Sequence, residues 1–313
     1  MNGAIGNTDF EWYRLLSELQ PDEVNFWQPS GGNRFASLRR GEPYVFKLKK
    51  KYGHAVVGFG LFAHWTRMPI HMAWELFGTK NGVRSAGEMY QRLSRYVRTD
   101  RGVVPATHQI GCVLLTSPVF FPAPMWVEGP RDWRDQIVQH KTYDLEAGEG
   151  QRVWRDCLQR AAVDAPGLAA ASNAFGQPDR GERFGAPMLV RPRLGQGTFR
   201  ALVTDTYERA CAVSGEHSLP ALEAAHIRPY SEGGEHDPTN GLLLRADIHR
   251  LYDSQLVTVT PDYTFKVSPR LREDYQNGKI YYALQDQKIR LPRDRELWPD
   301  REALDWHASR LVA

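Results

Sequence analysis

Apolar residues at Phe10, Trp12, Tyr13, Leu15, Leu16 and Leu19 recur at helical spacing and stop at Pro21, which predicts a helix near the start of the chain. Residues 24–27, 44–48 and 55–62 then gather β-branched and aromatic side chains between glycine and proline turn signals, the pattern of strands. Met89, Tyr90, Leu93 and Val97 mark one face of a helix over 86–97, and residues 110–115 and 119–121 read as returning strands. Together they predict an α+β domain built on a curved, barrel-like β-sheet. From about 161 to 187 the periodicity gives way to Ala, Gly, Pro and isolated charges, the composition of a linker. The expected division is therefore a first domain over 1–160, a linker over 161–187 and a second domain over 188–313.

Composition narrows the class. In 313 residues, 42% are apolar and 25% charged, with 13 Tyr, 13 Phe and 9 Trp, enough for two packed cores and unlike a disordered or fibrous chain. No apolar run approaches the length of a membrane span, and residues 1–10 lack the basic and apolar regions of a signal peptide, so no membrane association and a cytoplasmic location are expected. Cys112, Cys157 and Cys211 stand far apart, which excludes a Cys-x-x-Cys zinc knuckle and points to reduced thiols. A formal net charge of +3 says little by itself. More telling is the basic cluster Arg39, Arg40, Lys47, Lys49, Lys50 and Lys51, with further arginines from Arg191 to Arg250, which could meet phosphates.

The clearest chemistry lies in the second domain. His226 is followed by Asn240 and then by His249, and the local pattern is a strand over 222–227, a Gly- and Asp-rich loop over 231–240, a short strand over 242–244 and a helix over Ala246–Asp253. In such a β-hairpin followed by a helix, His249 and Asp253 share one helical face because residues four apart are stacked neighbours. An imidazole with carboxylates suits a divalent cation. A neutral His226 opposite that cation could take a proton from water while the cation offsets charge on a phosphate, the two parts that phosphodiester hydrolysis needs. Asn240 is no base at neutral pH; its expected task is to fix the loop and orient His226 by side-chain hydrogen bonds. His217, His236 and His307 are expected to be ordinary surface or core residues.

These residues resemble a known family. The runs A-A-H-I-R-P, G-G, T-N-G-L-L-L and H-R-L-Y-D, with R-P-R-L-G-Q-G-T-F-R over 191–200, C-A-V-S-G over 211–215, L-P at Leu291 and L-D-W-H-A over 304–308, resemble the HNH endonucleases and their ββα-metal fold. The resemblance implies that His226 is the general base, Asn240 the middle asparagine and His249 a metal ligand. One position departs: where many members carry an Asp or His ligand just before the base, this chain has Ala225. Glu223 and Asp253 are the nearest carboxylates to complete the shell with water, around Mg²⁺ or Mn²⁺ ahead of Zn²⁺.

A less specific resemblance covers roughly 24–143. V-N-F-W-Q-P-S-G-G, R-G-E-P-Y-V-F-K-L-K, A-V-V-G-F-G-L-F, A-W-E-L-F-G, N-G-V and I-V-Q-H-K-T-Y are similar to the EVE and PUA-like domains, which read modified bases. Holding a flipped base needs aromatic walls and polar edges to recover the cost of unstacking. The expected walls are Trp27, Phe62, Trp65 and Trp74, with Asn25, Gln28, Ser30 and Asn81 as polar contacts and residues 47–51 on the DNA backbone.

The two resemblances together imply a modification-dependent restriction endonuclease acting on double-stranded DNA that carries a modified cytosine, 5-methylcytosine or 5-hydroxymethylcytosine. The alternatives are an HNH nicking or structure-specific nuclease indifferent to modification, and an inactive nucleic-acid-binding protein. One such site cuts one strand at a time, so a double-strand break calls for two engagements or a homodimer.

Overall fold

The computed structural model describes residues 1–29, 31, 38–97, 104–105, 107–137, 139–163 and 193–312. The expected linker therefore lies, from 164 to 187, outside the described residues. The chain divides into two compact units, Met1–Thr198 and Phe199–Ala313, the division falling within the helix Gln196–Thr206.

The first unit is built on one six-stranded mixed sheet. Its strands are β1 (Asn2–Thr8), β2 (Glu23–Gln28), β3 (Pro43–Leu48), β4 (Val56–Pro69), β5 (Gln109–Phe120) and β6 (His140–Asp144), in the spatial order β2-β5-β4-β3-β1-β6. Among the described residues only β1 and β3 pair in parallel. Alternation along β3 explains the two cores: Tyr44, Phe46 and Leu48 enter a cluster with Trp12, Leu16 and Val24, whereas Val45 enters a second with Phe59, Phe121 and Trp154. The helix Phe10–Leu19, capped by the Asp9 carboxylate, covers the first core, and the helix Gly148–Val163 covers the second. Register shifts within the β3–β4 and β4–β5 pairs bend the sheet, as the α+β expectation of a curved sheet requires. At Gly58, φ is +151° and an added Cβ would lie 2.0 Å from the Val119 carbonyl oxygen, so no side chain fits there.

Three differences from the sequence expectation have physical causes. No element is predicted over residues 2–8, yet Ala4 and Ile5 are wholly buried and β1 is held between β3 and β6. β5 runs unbroken through Thr116, Ser117 and Pro118, where two separate strands over 110–115 and 119–121 were expected; Ser117 takes φ 47° and absorbs the irregularity. Lys47, expected at a DNA backbone, is instead fully buried. Its amine donates to the Leu48 carbonyl at 2.9 Å and to His54 Nδ1 at 3.1 Å and lies over the Trp133 ring, and burial pulls its pKa down to about 8.

The second unit holds an antiparallel pair, β7 (Leu222–His226) and β8 (Gly241–Arg245), followed at once by the helix Ala246–Asp253. A second pair, β9 (Val257–Val259) with β10 (Phe265–Val267), and the helix Arg301–Ala308 complete one core around Leu242, Leu244, Ile248, Tyr252 and Leu304.

Candidate functional site

The hairpin and helix put the chemistry on one side of the second core. Ile248 and Tyr252 are buried in that core, and this fixes the helix so that His249 and Asp253 stand one turn apart beside β7. Glu223 and Ala225 share one face of β7; Ala225 is fully buried against the core, and Glu223 reaches the helix. Nδ1 of His249 lies 2.7 Å from Oε2 of Glu223, and Nε2 lies 3.4 Å from Oδ2 of Asp253. Partial burial raises the Asp253 carboxyl pKa and nearby Glu223 adds to the rise, against the pull of His249.

His226 closes β7. Its ring stacks on the buried Phe199 at 4.0 Å and 11°, and its Nε2 lies 2.9 Å from Nδ1 of His236, on whose ring Tyr230 stacks in turn. Burial first, then His236 and His249, lowers the His226 pKa to about 4, so the imidazole is neutral throughout the physiological range.

Asn240 is nearly buried and knots the loop that follows the base. Its Oδ1 accepts from the Arg228 N–H at 2.9 Å, and its Nδ2 donates to the carbonyls of Arg228 at 2.9 Å and Glu235 at 3.0 Å. The Ile227 N–H donates to the Asn240 carbonyl. A side chain at Gly234 would sit 1.8 Å from the Arg228 carbonyl oxygen, so glycine is needed at this crossing. The expected direct hydrogen bond from Asn240 to His226 gives way to this indirect one, because both N–H donors of the amide and one acceptor site of its oxygen are taken by loop backbone. His236, set aside by sequence reading, is instead the hydrogen-bond partner of His226. Its signal is faint: a loop histidine ten residues downstream carries no periodicity. His307 does lie in the core as expected.

Among the described residues no group of three or more His, Cys, Asp or Glu side chains is arranged to hold a metal ion. Glu223, His249 and Asp253 are together, but Glu223 occupies Nδ1 of His249, the position from which a carboxylate orients a ligating imidazole. That leaves Nε2 of His249 with Asp253 as the donors that fit a hard divalent cation, the remaining positions falling to water. The crowding of two carboxylates about one imidazole is the electrostatic environment that a cation relieves.

The first unit contains a cavity of about 630 Å³ beside the helix Phe10–Leu19 and β2. Trp12, Phe26, Trp27 and Tyr44 form its aromatic wall; Asn7, Gln28, Gln91 and Gln139 offer amides, and Asp9, Glu88, Arg92, Arg95 and Lys49 offer charge. Arg92 is held between Glu88 at 2.7 Å and Asp9 at 3.4 Å. Of the expected base contacts, Trp27 and Gln28 line this cavity and the other described ones do not. Asn25 and Asn81 are fully buried and bonded to each other at 2.9 Å; Asn81 also bonds the Ala73 and Gly78 carbonyls, and its own carbonyl accepts from Trp27 Nε1 at 2.9 Å. They brace the wall from behind. Phe62 belongs to the sheet core, against which Trp65 packs, and Trp74 sits half-buried on the helix Ile70–Phe77. Ser30 lies outside the described residues.

Residues 211–260 match the family model described as HNH endonuclease. Among solved structures, the chain is similar to the ASCH protein from Zymomonas mobilis at a TM-score of 0.33 and 11% identity, covering 49% of this chain and 94% of that one. It is also similar to the modification-dependent TagI restriction endonuclease at a TM-score of 0.30 and 13% identity, covering 93% of this chain and 76% of that one. Comparison with curated proteins gave no match.

Proposed function

We propose that this DNA endonuclease, whose HNH domain spans residues 211–260, is a modification-dependent restriction enzyme in which the first unit reads a modified cytosine and the second cuts nearby. The observation that carries the reading is the pairing of a neutral, buried-side imidazole at His226 with the Glu223–His249–Asp253 cluster inside that domain. His226 takes a proton from the water that attacks phosphorus. His249 and Asp253 hold Mg²⁺ or Mn²⁺, which when bound supplies positive charge against the phosphate, and Glu223 fixes the His249 ring. Asn240 keeps the loop between the base and β8 in one shape.

The reader half of the proposal is supported by the cavity. Five aromatic residues line it, Trp12, Phe26, Trp27, Tyr44 and Tyr96, and those that present a ring face to the cavity can stack on an extruded base; its amides can meet a base edge, and its volume lies in the range of small-ligand sites. Trp27, already fixed through Nε1, offers its ring at no further ordering cost.

The test is digestion of unmodified, 5-methylcytosine and 5-hydroxymethylcytosine plasmids with Mg²⁺ or Mn²⁺. We expect cutting of at least one modified plasmid, little of the unmodified one, nicked circles before linear product, and none in EDTA. Equal cutting of all three overturns the reader; full activity in EDTA overturns the cation. His226→Ala should lose about 10²–10⁴-fold in rate while still binding DNA.

A further inference from the structure

We propose that His236 is a positioning residue for cleavage, fixing His226 in the tautomer whose Nδ1 is free to accept the proton; this rests on His226 being the base.

A neutral imidazole carries one proton on two nitrogens, and only the bare nitrogen can act as a base. Nε2 of His226 and Nδ1 of His236 are 2.9 Å apart, so one proton lies between them. Two arrangements satisfy that distance. In the first, His226 donates from Nε2 and its Nδ1 keeps a lone pair. In the second, His236 donates from Nδ1, His226 accepts at Nε2 and carries its proton on Nδ1, where it can take none. Only the first is competent, and it needs His236 neutral with its own proton on Nε2. The surroundings favour a fixed pair. Phe199 covers one face of His226, Tyr230 covers His236 at 4.9 Å and 9°, and the 65% exposure of Tyr230 puts that end of the chain of rings at solvent, where water can accept from Nε2 of His236. Among the described residues no hydrogen bond engages Nδ1 of His226.

The step balances. Water gives a proton to Nδ1 of His226 as its oxygen bonds to phosphorus, and the bridging oxygen leaves with the bond pair and takes one proton from solvent. The imidazolium so formed keeps its Nε2–H on His236, now as a charge-assisted bond, and later returns the Nδ1 proton to solvent. His236 itself gains and loses nothing, the part an orienting carboxylate plays in a hydrolase triad.

The experiment compares full-length His226→Ala, His236→Leu, His236→Asn and His236→Gln on whichever of the three plasmids the wild type cuts. Asn can place an acceptor where Nδ1 stands; Gln places it one carbon too far, and Leu has none. We expect His236→Leu and His236→Gln to lose about 10²-fold or more in kcat with KM for DNA unchanged, and His236→Asn to stay within about tenfold of wild type. Should His236→Leu fold poorly in a thermal melt, the Asn and Gln pair carries the same comparison. Nitrogen-15 NMR of histidine-labelled protein adds a readout independent of cutting: Nδ1 of His226 should be unprotonated in the wild type and in His236→Asn, and shared between tautomers in His236→Leu. Wild-type kcat in His236→Leu beside an inactive His226→Ala overturns the positioning role alone, as does a rise in KM with kcat kept. Near wild-type cutting by His226→Ala overturns the base assignment beneath it.

Discussion

Asn240 ties three backbone groups of one loop with one nearly buried amide, so its loss is felt twice. Asn240→Ala leaves the Arg228 N–H and two carbonyls without partners, at a cost of about 2–4 kcal/mol in the second unit, and frees the segment behind His226. Urea unfolding followed by the second unit's tryptophans should show the first effect and plasmid digestion the second; unchanged stability would mean that water replaces the amide. At this scale His226, Asn240 and His249 are legible in the sequence, because a hairpin followed by a helix imposes their order and spacing. His236 and the cavity wall are not. Trp12, Tyr44 and Gln139 come from a helix, an inner strand and the approach to an edge strand, and no local pattern announces that they meet. Phe62 and Trp65 carry the same aromatic signature and belong to the core, since composition does not say which side of a strand faces a cavity.

Elements that bury one face announce themselves, and those whose partners are distant do not. The helix Phe10–Leu19 follows from its period and the strand Pro43–Leu48, buried on both faces, from its β-branched and aromatic content between turn signals, whereas β1 has too few apolar residues to predict and is held by pairing with β3 and β6 on both sides. The last helix, Arg301–Ala308, gives a measurable case of packing. His307 is buried within it, its Nε2–H donating to the Tyr252 carbonyl at 3.0 Å, its Nδ1 accepting from the Thr258 hydroxyl at 2.8 Å and its ring stacked on Tyr252. Burial lowers its pKa from 6.5 to about 4, so the unfolded chain binds a proton in that interval that the folded one refuses. Stability from this group is complete above pH 6.5 and is lost as the pH falls towards 4, by up to about 3 kcal/mol. Denaturation series at several pH values should show that slope in the wild type and a shallower one in His307→Phe. An equal slope in both would assign the acid sensitivity elsewhere. Because His307 rests on Tyr252, the helix bearing His249 should loosen first.

For the whole molecule, no helix among the described residues is long and apolar enough to cross a membrane, and each unit has its own core. The proposed division of labour, recognition in one part and cutting in the other, asks that the parts hold together without needing each other to fold. The chain carries its own means of asking this, in its sulfur. Cys112 and Cys157 are buried in Met1–Thr198 and Cys211 in Phe199–Ala313, none of them in a disulfide, and burial raises the Cys157 pKa. A thiol so placed meets a colouring reagent only when the structure around it opens. The native protein should give almost no colour with such a reagent, and mild urea should release it in two separate rates, one for Cys211 and another for Cys112 with Cys157, identified by mass after digestion. A single shared rate would describe one indivisible folding block, and the three sulfurs would then be timing the opening of the entire chain.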